Sequence, residues 1–221
     1  MLALDKPSGV SMATSRAAGK SEDEVLDRLL RACGEAPRPG LRLVHRLDVG
    51  TSGVVLLAKG EEAHRALSLA FQERRVAKAY RALVYGHPVP ARGLLEAPLA
   101  RDPRDGRRMV ESAGGKRAVT GYRTLRRYPG LADLEILPET GRTHQIRVHL
   151  ASRGHPIAGD DLYGAATRWR GVRAPRPRES LRALAGPLLH AERLSVPEMG
   201  LELAAPLPAA YVQLLALLAA E

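Results

Sequence analysis

The chain has 221 residues, 45% of them hydrophobic, which is enough to close a core and excludes wholesale disorder. A single cysteine, Cys33, excludes an internal disulfide and a cysteine-built zinc site. No apolar run approaches the roughly 20 residues that span a bilayer, and Asp5 and Lys6 stand where a signal peptide needs its apolar core. The net charge of +10 favours a polyanionic partner, nucleic acid or an anionic membrane, and nothing else in the sequence supports the membrane.

Met1 to Leu4 reads as a short strand entering a Lys6-Pro7-Ser8-Gly9 turn. Residues 11 to 20 are small and polar and read as a loop. Ser21-Glu22-Asp23-Glu24 has the spacing of a reciprocal helix cap, and Val25, Leu26, Leu29, Leu30 and Cys33 follow with helical spacing, which makes Cys33 a small core residue. Glu61 to Arg74 predicts a second helix with Ala63, Ala66, Leu67 and Ala70 on its apolar face. Val76 to Tyr85 alternates as a strand, and residues 87 to 107 read as a Pro-, Gly- and Arg-rich surface excursion.

Ala118 to Leu125 and Leu131 to Leu137 predict two strands around Tyr128-Pro129-Gly130, and Thr143 to Arg153 a short helix ended by Gly154 and Pro156. Thr167 to Arg178 holds five arginines, two prolines and the only Trp without apolar periodicity, and is read as an exposed basic loop. Leu188 to Val196 returns as a strand. Leu207 to Ala219 closes as a helix with Leu214, Leu215 and Leu218 inward. Mixed helices and strands of this kind point to an α+β fold.

The stretch Leu43 to Lys59, LVHRLDVGTSGVVLLAK, is the one most suited to chemistry. Asp48 sits among basic residues on a tight polar turn, Gly50 to Gly53, that leads into an apolar run of strand length. A loop beside a rigid strand exposes a reactive group and fixes it. From these residues alone, a carboxylate that caps the turn is the simpler reading. His45, His144 and His149 do not form a metal set: the spacing of the last two does not share a helix face, and no HExxH is present.

HRLDVGTSG resembles the central motif of the RluA family of RNA pseudouridine synthases. Gly141 to Gly164, GRTHQIRVHLASRGHPIAGDDLYG, resembles that family's downstream motif, and KAYRALVYG, Lys78 to Gly86, its tyrosine-bearing motif. LDKPSG, Leu4 to Gly9, resembles the opening motif, with Asp5 where the family more often has Asn. LLHA, Leu188 to Ala191, and APLP, Ala205 to Pro208, resemble its closing segments. The matches keep family order and span nearly the whole chain.

The resemblance implies a pseudouridine synthase-like fold: a curved, mainly antiparallel mixed sheet with flanking helices and a central RNA-binding cleft. It implies one catalytic domain, residues 1–221, without a separate N-terminal S4 domain. The implied reaction breaks the N1–C1′ bond of uridine, turns the base and rejoins it through C5. Because nothing is oxidised or imported, no cofactor and no metal are expected.

Asp48 takes the role of nucleophile, Arg147 that of the cation that keeps it ionised, and Tyr80 that of the aromatic that stacks on the displaced uracil. Arg46 is a candidate to fill the space left by the flipped base. His45, Thr51, Arg142, His144 and Ile146 are candidate substrate contacts, with Arg142 the nearest competitor for the role of Arg147. Two arginine groups, Arg101, Arg104, Arg107 and Arg108, and Arg168, Arg170, Arg173, Arg176 and Arg178, are candidate RNA-backbone contacts, with Trp169 available to stack. The expected partner is ribosomal or transfer RNA, bound in the cytoplasm by a monomer with no obligate protein partner. The rival readings are a non-catalytic RNA-binding or ribosome-assembly factor with the same fold, and a metal-dependent hydrolase.

Overall fold

Ser21 opens helix α1 (Glu22–Ala32) as its spacing predicts. The hydroxyl accepts the Glu24 N–H at 3.2 Å, and the Glu24 carboxylate accepts the Ser21 N–H at 3.2 Å. Val25, Leu26, Leu29 and Leu30 are buried. Cys33 is the C-cap and half-buried, because the helix ends one residue before the apolar stripe reaches it.

The computed structural model describes residues 1–14 and 21–221. They form two compact units, one of Met1–Lys78 with Ala191–Pro206, the other of Ala79–His190 with Leu207–Glu221. Six residues of the loop expected over residues 11 to 20 lie outside the described part. Residues 11–14 are irregular as expected, but Met12 is buried, and its sulfur accepts the Leu47 N–H at 3.4 Å.

In the first unit, strand β1 (Leu2–Lys6) pairs antiparallel with β3 (Ser52–Lys59), in register from Leu2 opposite Leu57 to Lys6 opposite Gly53. The short strand β2 (Leu41–Leu43) pairs with the far end of β3. Strand β10 (Leu189–Val196) borders β3 on its other side and carries β11 (Leu201–Ala204) antiparallel. β3 is buried from Ser52 to Ala58, as its unbroken apolar run predicts. Helix α2 (Glu61–Gln72) covers it through Leu67 and Ala70, which pack with Val54, Leu56, Ala58, Leu194 and Val196.

Gly53 is the one position on β3 that only glycine can fill. Its φ is +110°, and a Cβ there would lie 2.2 Å from the Ala191 carbonyl oxygen. The glycine of the TSG turn therefore lets two strands touch backbone to backbone.

The second unit is built on an antiparallel sheet. Strand β4 (Ala77–Tyr85) pairs with β9 (Leu131–Pro138), β9 with β8 (Val119–Tyr128), and β8 with β5 (Arg92–Glu96). A bulge at Thr124–Arg126 interrupts the β8–β9 register. The surface excursion is thus partly ordered sheet. Beyond β5 it also forms a two-stranded hairpin, β6 (Leu99–Arg101) with β7 (Met109–Glu111). Helix α3 (Gln145–Ser152) is buried along Gln145–Leu150.

The Arg-rich segment 165–186 corrects the sequence reading. It is a 3-10 turn at Arg168–Gly171 followed by helix α4 (Pro175–Arg182). Val172 and Leu181 are buried in one cluster with Leu83, Leu131 and the C-terminal helix α5 (Ala209–Ala219), through Tyr211, Leu214 and Leu218. Ala165, Val172, Pro177 and Leu181 are its buried apolar residues, and the dense arginines between the last three hide that spacing.

Trp169 packs against the same cluster, gives its indole N–H to the Ala166 carbonyl at 3.0 Å, and lies under Arg170 and Arg182. Its ring is engaged with the protein. Among the described residues no helix is long and apolar enough to cross a membrane.

Candidate active site

The first unit presents Asp48 on a turn that is strapped from beneath. The Asp48 carbonyl accepts the Thr51 N–H at 3.0 Å, which closes the turn. The opening segment then holds the next two residues. Gly9 N–H donates to Val49 O at 2.8 Å and Ser8 Oγ to Gly50 O at 2.9 Å. Lys6 is fully buried, and its ammonium donates to the carbonyls of Pro7 (3.0 Å), Val10 (2.9 Å) and Val49 (3.3 Å). Burial pulls the Lys6 pKa down to about 8 against the opposing pull of Cys33 and Asp48. A buried cation thus sits within electrostatic reach of the half-buried Asp48 carboxylate.

Arg46 is exposed beside Asp48, while Thr51 is buried beneath the turn. His45 is tied to the scaffold. Its ring stacks on Phe71 at 4.7 Å and its Nε2 accepts the Leu56 N–H at 2.8 Å. Burial, then the charge of Lys78, hold its pKa near 3, so the ring is neutral at physiological pH. The buried Lys6 was not singled out from the sequence as a site residue. Its place in the LDKPSG block, with no acidic residue at helical spacing, was the available signal.

The second unit carries the remaining candidates. Tyr80 lies on β4 opposite Ile136 and packs, half-exposed, against the apolar cluster that contains Ile146. Ile146 and Arg147 are consecutive on α3. Arg147 is 8% exposed, and its guanidinium grips Asp160 with both forks, Nε to Oδ2 at 2.7 Å and Nη2 to Oδ1 at 2.8 Å. The same guanidinium lies 4.9 Å from the centre of the Tyr163 ring. Asp160 and Tyr163 belong to one tight turn, in which Tyr163 N–H donates to Asp160 O at 3.1 Å.

His144 caps α3 from the left-handed region, φ 53°, an uncommon place for a side chain. Its Nδ1 lies 2.9 Å from the Tyr163 hydroxyl, which also accepts the Met109 N–H at 2.8 Å. Gln145 is buried and fully used. Its oxygen accepts from Thr140 and the Arg142 N–H, and its amide donates to Val119 O and Thr120 Oγ1. Arg142 donates through Nε to Arg117 O at 3.1 Å. His149 is fully buried, its ring nitrogens 2.9 Å from Thr120 Oγ1 and 3.1 Å from Ala97 O. A helix that buries this many polar groups needs each one partnered, and α3 meets that condition. No metal-binding group of three His, Cys, Asp or Glu occurs among the described residues.

Residues 1–152 match the family model described as RNA pseudouridylate synthase. An RNA pseudouridine synthase of Chloroflexus aurantiacus, itself named uncharacterized, is 42% identical over 93% of this chain and 62% of its own length. The ribosomal large subunit pseudouridine synthase D of Pseudomonas aeruginosa is 36% identical over 99% of this chain and 69% of its own. The chain thus spans about two thirds of the length of these two curated relatives. Among solved structures, human RNA pseudouridylate synthase domain containing 1 superposes with a TM-score of 0.73 at 29% identity, covering 100% of this chain and 91% of that one. Human RNA pseudouridylate synthase domain containing 4 gives 0.73 at 27%, covering 98% and 89%. With its mixed, mainly antiparallel sheet and the helices around it, the chain belongs to the RNA pseudouridylate synthase family.

Proposed function

We propose that this protein isomerises uridine to pseudouridine in RNA, with Asp48 as nucleophile and without a cofactor. The observation that carries the proposal is the strapped Asp48 turn, in which a carboxylate is presented on a loop that Lys6, Ser8 and Gly9 pin from below. In the reaction the N1–C1′ bond breaks and a C5–C1′ bond forms. The C5 proton leaves and N1 gains one, so no redox partner enters. Asp48 attacks and holds one half of the nucleotide while the uracil turns.

Arg147 stabilises the charge of that carboxylate during turnover, and Tyr80 offers an aromatic face to the turning base. Arg46 enters the stack vacated by the flipped nucleotide. Arg142, His144 and Ile146 are substrate contacts on this reading, whereas Thr51 is buried and His45 is bound to Phe71 and Leu56, so both support the turn instead. The net charge of +10 suits an RNA partner, and the names of relatives such as the Pseudomonas enzyme make large-subunit ribosomal RNA the first candidate, with transfer RNA the second. Work on either RNA places the protein in the cytoplasm, acting as a monomer.

The test is a pseudouridine map. Purified protein is incubated with chelator and unmodified ribosomal or transfer RNA, and new pseudouridines are located by carbodiimide block of reverse transcription. Discrete stops that vanish with Asp48→Asn support the activity and name the substrate. Stops that persist with Asp48→Asn refute the nucleophile. Tight binding to both RNAs without any stop would favour an RNA-binding factor that keeps the fold.

A further inference from the structure

The Tyr163 ring holds two guanidinium groups, those of Arg147 at 4.9 Å and Arg108 at 5.5 Å. They are not equivalent. Arg147 is bonded to Asp160 through two of its nitrogens. Arg108, half-buried at the start of β7, has a buried Nε that finds no hydrogen-bond acceptor among the described residues. Its neighbours differ on this point: Arg107 clasps Asp105 with Nε at 3.0 Å and Nη2 at 2.9 Å, and Arg153 holds Glu111 at 3.0 Å. The carboxylate of Asp105 feels the Arg108 charge, but it is engaged by Arg107.

The platform itself is fixed. Tyr163 is buried, its hydroxyl accepts the Met109 N–H, and His144 Nδ1 sits 2.9 Å away. The ring is held in place, and the Arg108 guanidinium packs against it, 5.5 Å from its centre, with an enclosed Nε and no acceptor of its own among the described residues. The planar fork of arginine matches a phosphate.

We propose that Arg108, held on the Tyr163 ring, takes a backbone phosphate of the RNA substrate and is a substrate-positioning residue. The proposal rests on the reading of this protein as an RNA-modifying enzyme.

The test compares wild type, Arg108→Gln and Arg153→Gln in binding an unmodified large-subunit ribosomal RNA fragment between about 50 and 200 mM salt. Single-turnover pseudouridine formation is followed on the same RNA. For Arg108→Gln the expected result is about five- to tenfold weaker binding, with the slope of log affinity against log salt reduced by about 0.7 to 0.9, as for one lost phosphate contact. The loss should fall on affinity more than on the rate at saturating RNA. Arg153→Gln, which removes the same charge from the end of α3, should keep the wild-type slope. The free Arg108→Gln protein should melt at or above the wild-type temperature, since the side chain makes no internal hydrogen bond. Tyr163→Leu, which removes the platform, should reproduce the slope of Arg108→Gln.

A wild-type slope in Arg108→Gln would overturn the proposal. So would an equal loss in Arg153→Gln, which would mean diffuse charge, or a clearly lower melting temperature in Arg108→Gln, which would assign Arg108 to the scaffold. If wild type binds with the predicted slopes but forms no pseudouridine, the enzymatic reading fails while the phosphate contact stands.

Discussion

Asp160 holds the guanidinium of Arg147 with both carboxylate oxygens, at 2.7 and 2.8 Å, in a site where Asp160 is 1% exposed. Losing one partner of such a pair strands a buried charge. Asp160→Ala should cost about 3 to 5 kcal/mol in urea unfolding, whereas the double variant Arg147→Met/Asp160→Leu should recover most of that loss and still lack activity. Arg147→Lys should fold but turn over at least tenfold more slowly, because an ammonium cannot reproduce the two-pronged contact. An Asp160→Ala variant as stable as wild type would show that water takes over the contact.

Lys6 ties the opening segment to the residue after Asp48. Lys6→Met leaves three carbonyls without their donor and should cost on the order of 2 to 4 kcal/mol at pH 7, with a matching loss of turnover as the Asp48 turn loosens. The pH dependence has a definite sign. Lys6 sheds its proton near pH 8 in the folded chain but near 10.5 when unfolded, so the unfolded state binds more protons in between. Wild-type stability relative to Lys6→Met should therefore rise from pH 8 to 10.5, by at most about 3 kcal/mol. A constant difference across that range would place the lysine in water.

His45 works in the opposite pH range. It stays neutral down to about pH 3 in the folded chain, against an ordinary value of 6.5. Its contribution is complete above 6.5 and is lost as pH falls towards 3, because only the unfolded chain takes up the proton. The loss is at most about 5 kcal/mol. His45→Gln should be less stable at pH 7 and should show a flatter acid limb. Parallel acid limbs for the two proteins would contradict the neutral, Leu56-bonded ring.

Gly53→Ala should be among the most damaging single methyl additions in the chain. The new Cβ would collide with the Ala191 carbonyl, and φ +110° is closed to alanine. A loss of at least about 3 kcal/mol, or failure to accumulate as soluble protein, is expected. A near-neutral Gly53→Ala would mean that β3 and β10 separate at little cost.

The 165–186 segment offers a paired test. Leu181→Ala should cost about 2 to 4 kcal/mol through the cavity it leaves beside the α5 cluster. Arg178→Gln, on an exposed position of the same helix, should leave unfolding within about 0.5 kcal/mol. Equal, small effects would return the segment to the exposed loop suggested by its composition.

The elements that were legible in the sequence are those whose signals are local. The cap of α1, the unbroken apolar run of β3 and the strands around Pro129-Gly130 need only neighbours to be recognised. β5 escaped because its partner is β8, with Leu94 opposite Gly121, and its own residues are mostly exposed. Helix α4 escaped because five arginines outweigh three apolar anchors. Among the candidate residues, Asp48, Tyr80 and Arg147 stood out by motif. The groups that hold them did not, because Lys6 reaches Val49 across 43 residues and Tyr163 serves His144, Arg147 and Met109 through contacts that no spacing encodes.

The closing segment of the first unit, Ala191–Pro206, follows Ala79–His190, the larger part of the second, in the chain. During synthesis, β3 emerges roughly 140 residues before the strand that borders it at Ala191. At about 5 to 20 residues per second, that is a wait of roughly 7 to 30 seconds. For that interval Val54 to Leu56 lack their neighbour on one edge, an apolar run left open to mispairing. The amino-terminal segment, although made first, is therefore expected to wait for nearly the whole chain, and a nascent chain stalled before Ala191 should be a chaperone client although most of its length has been made.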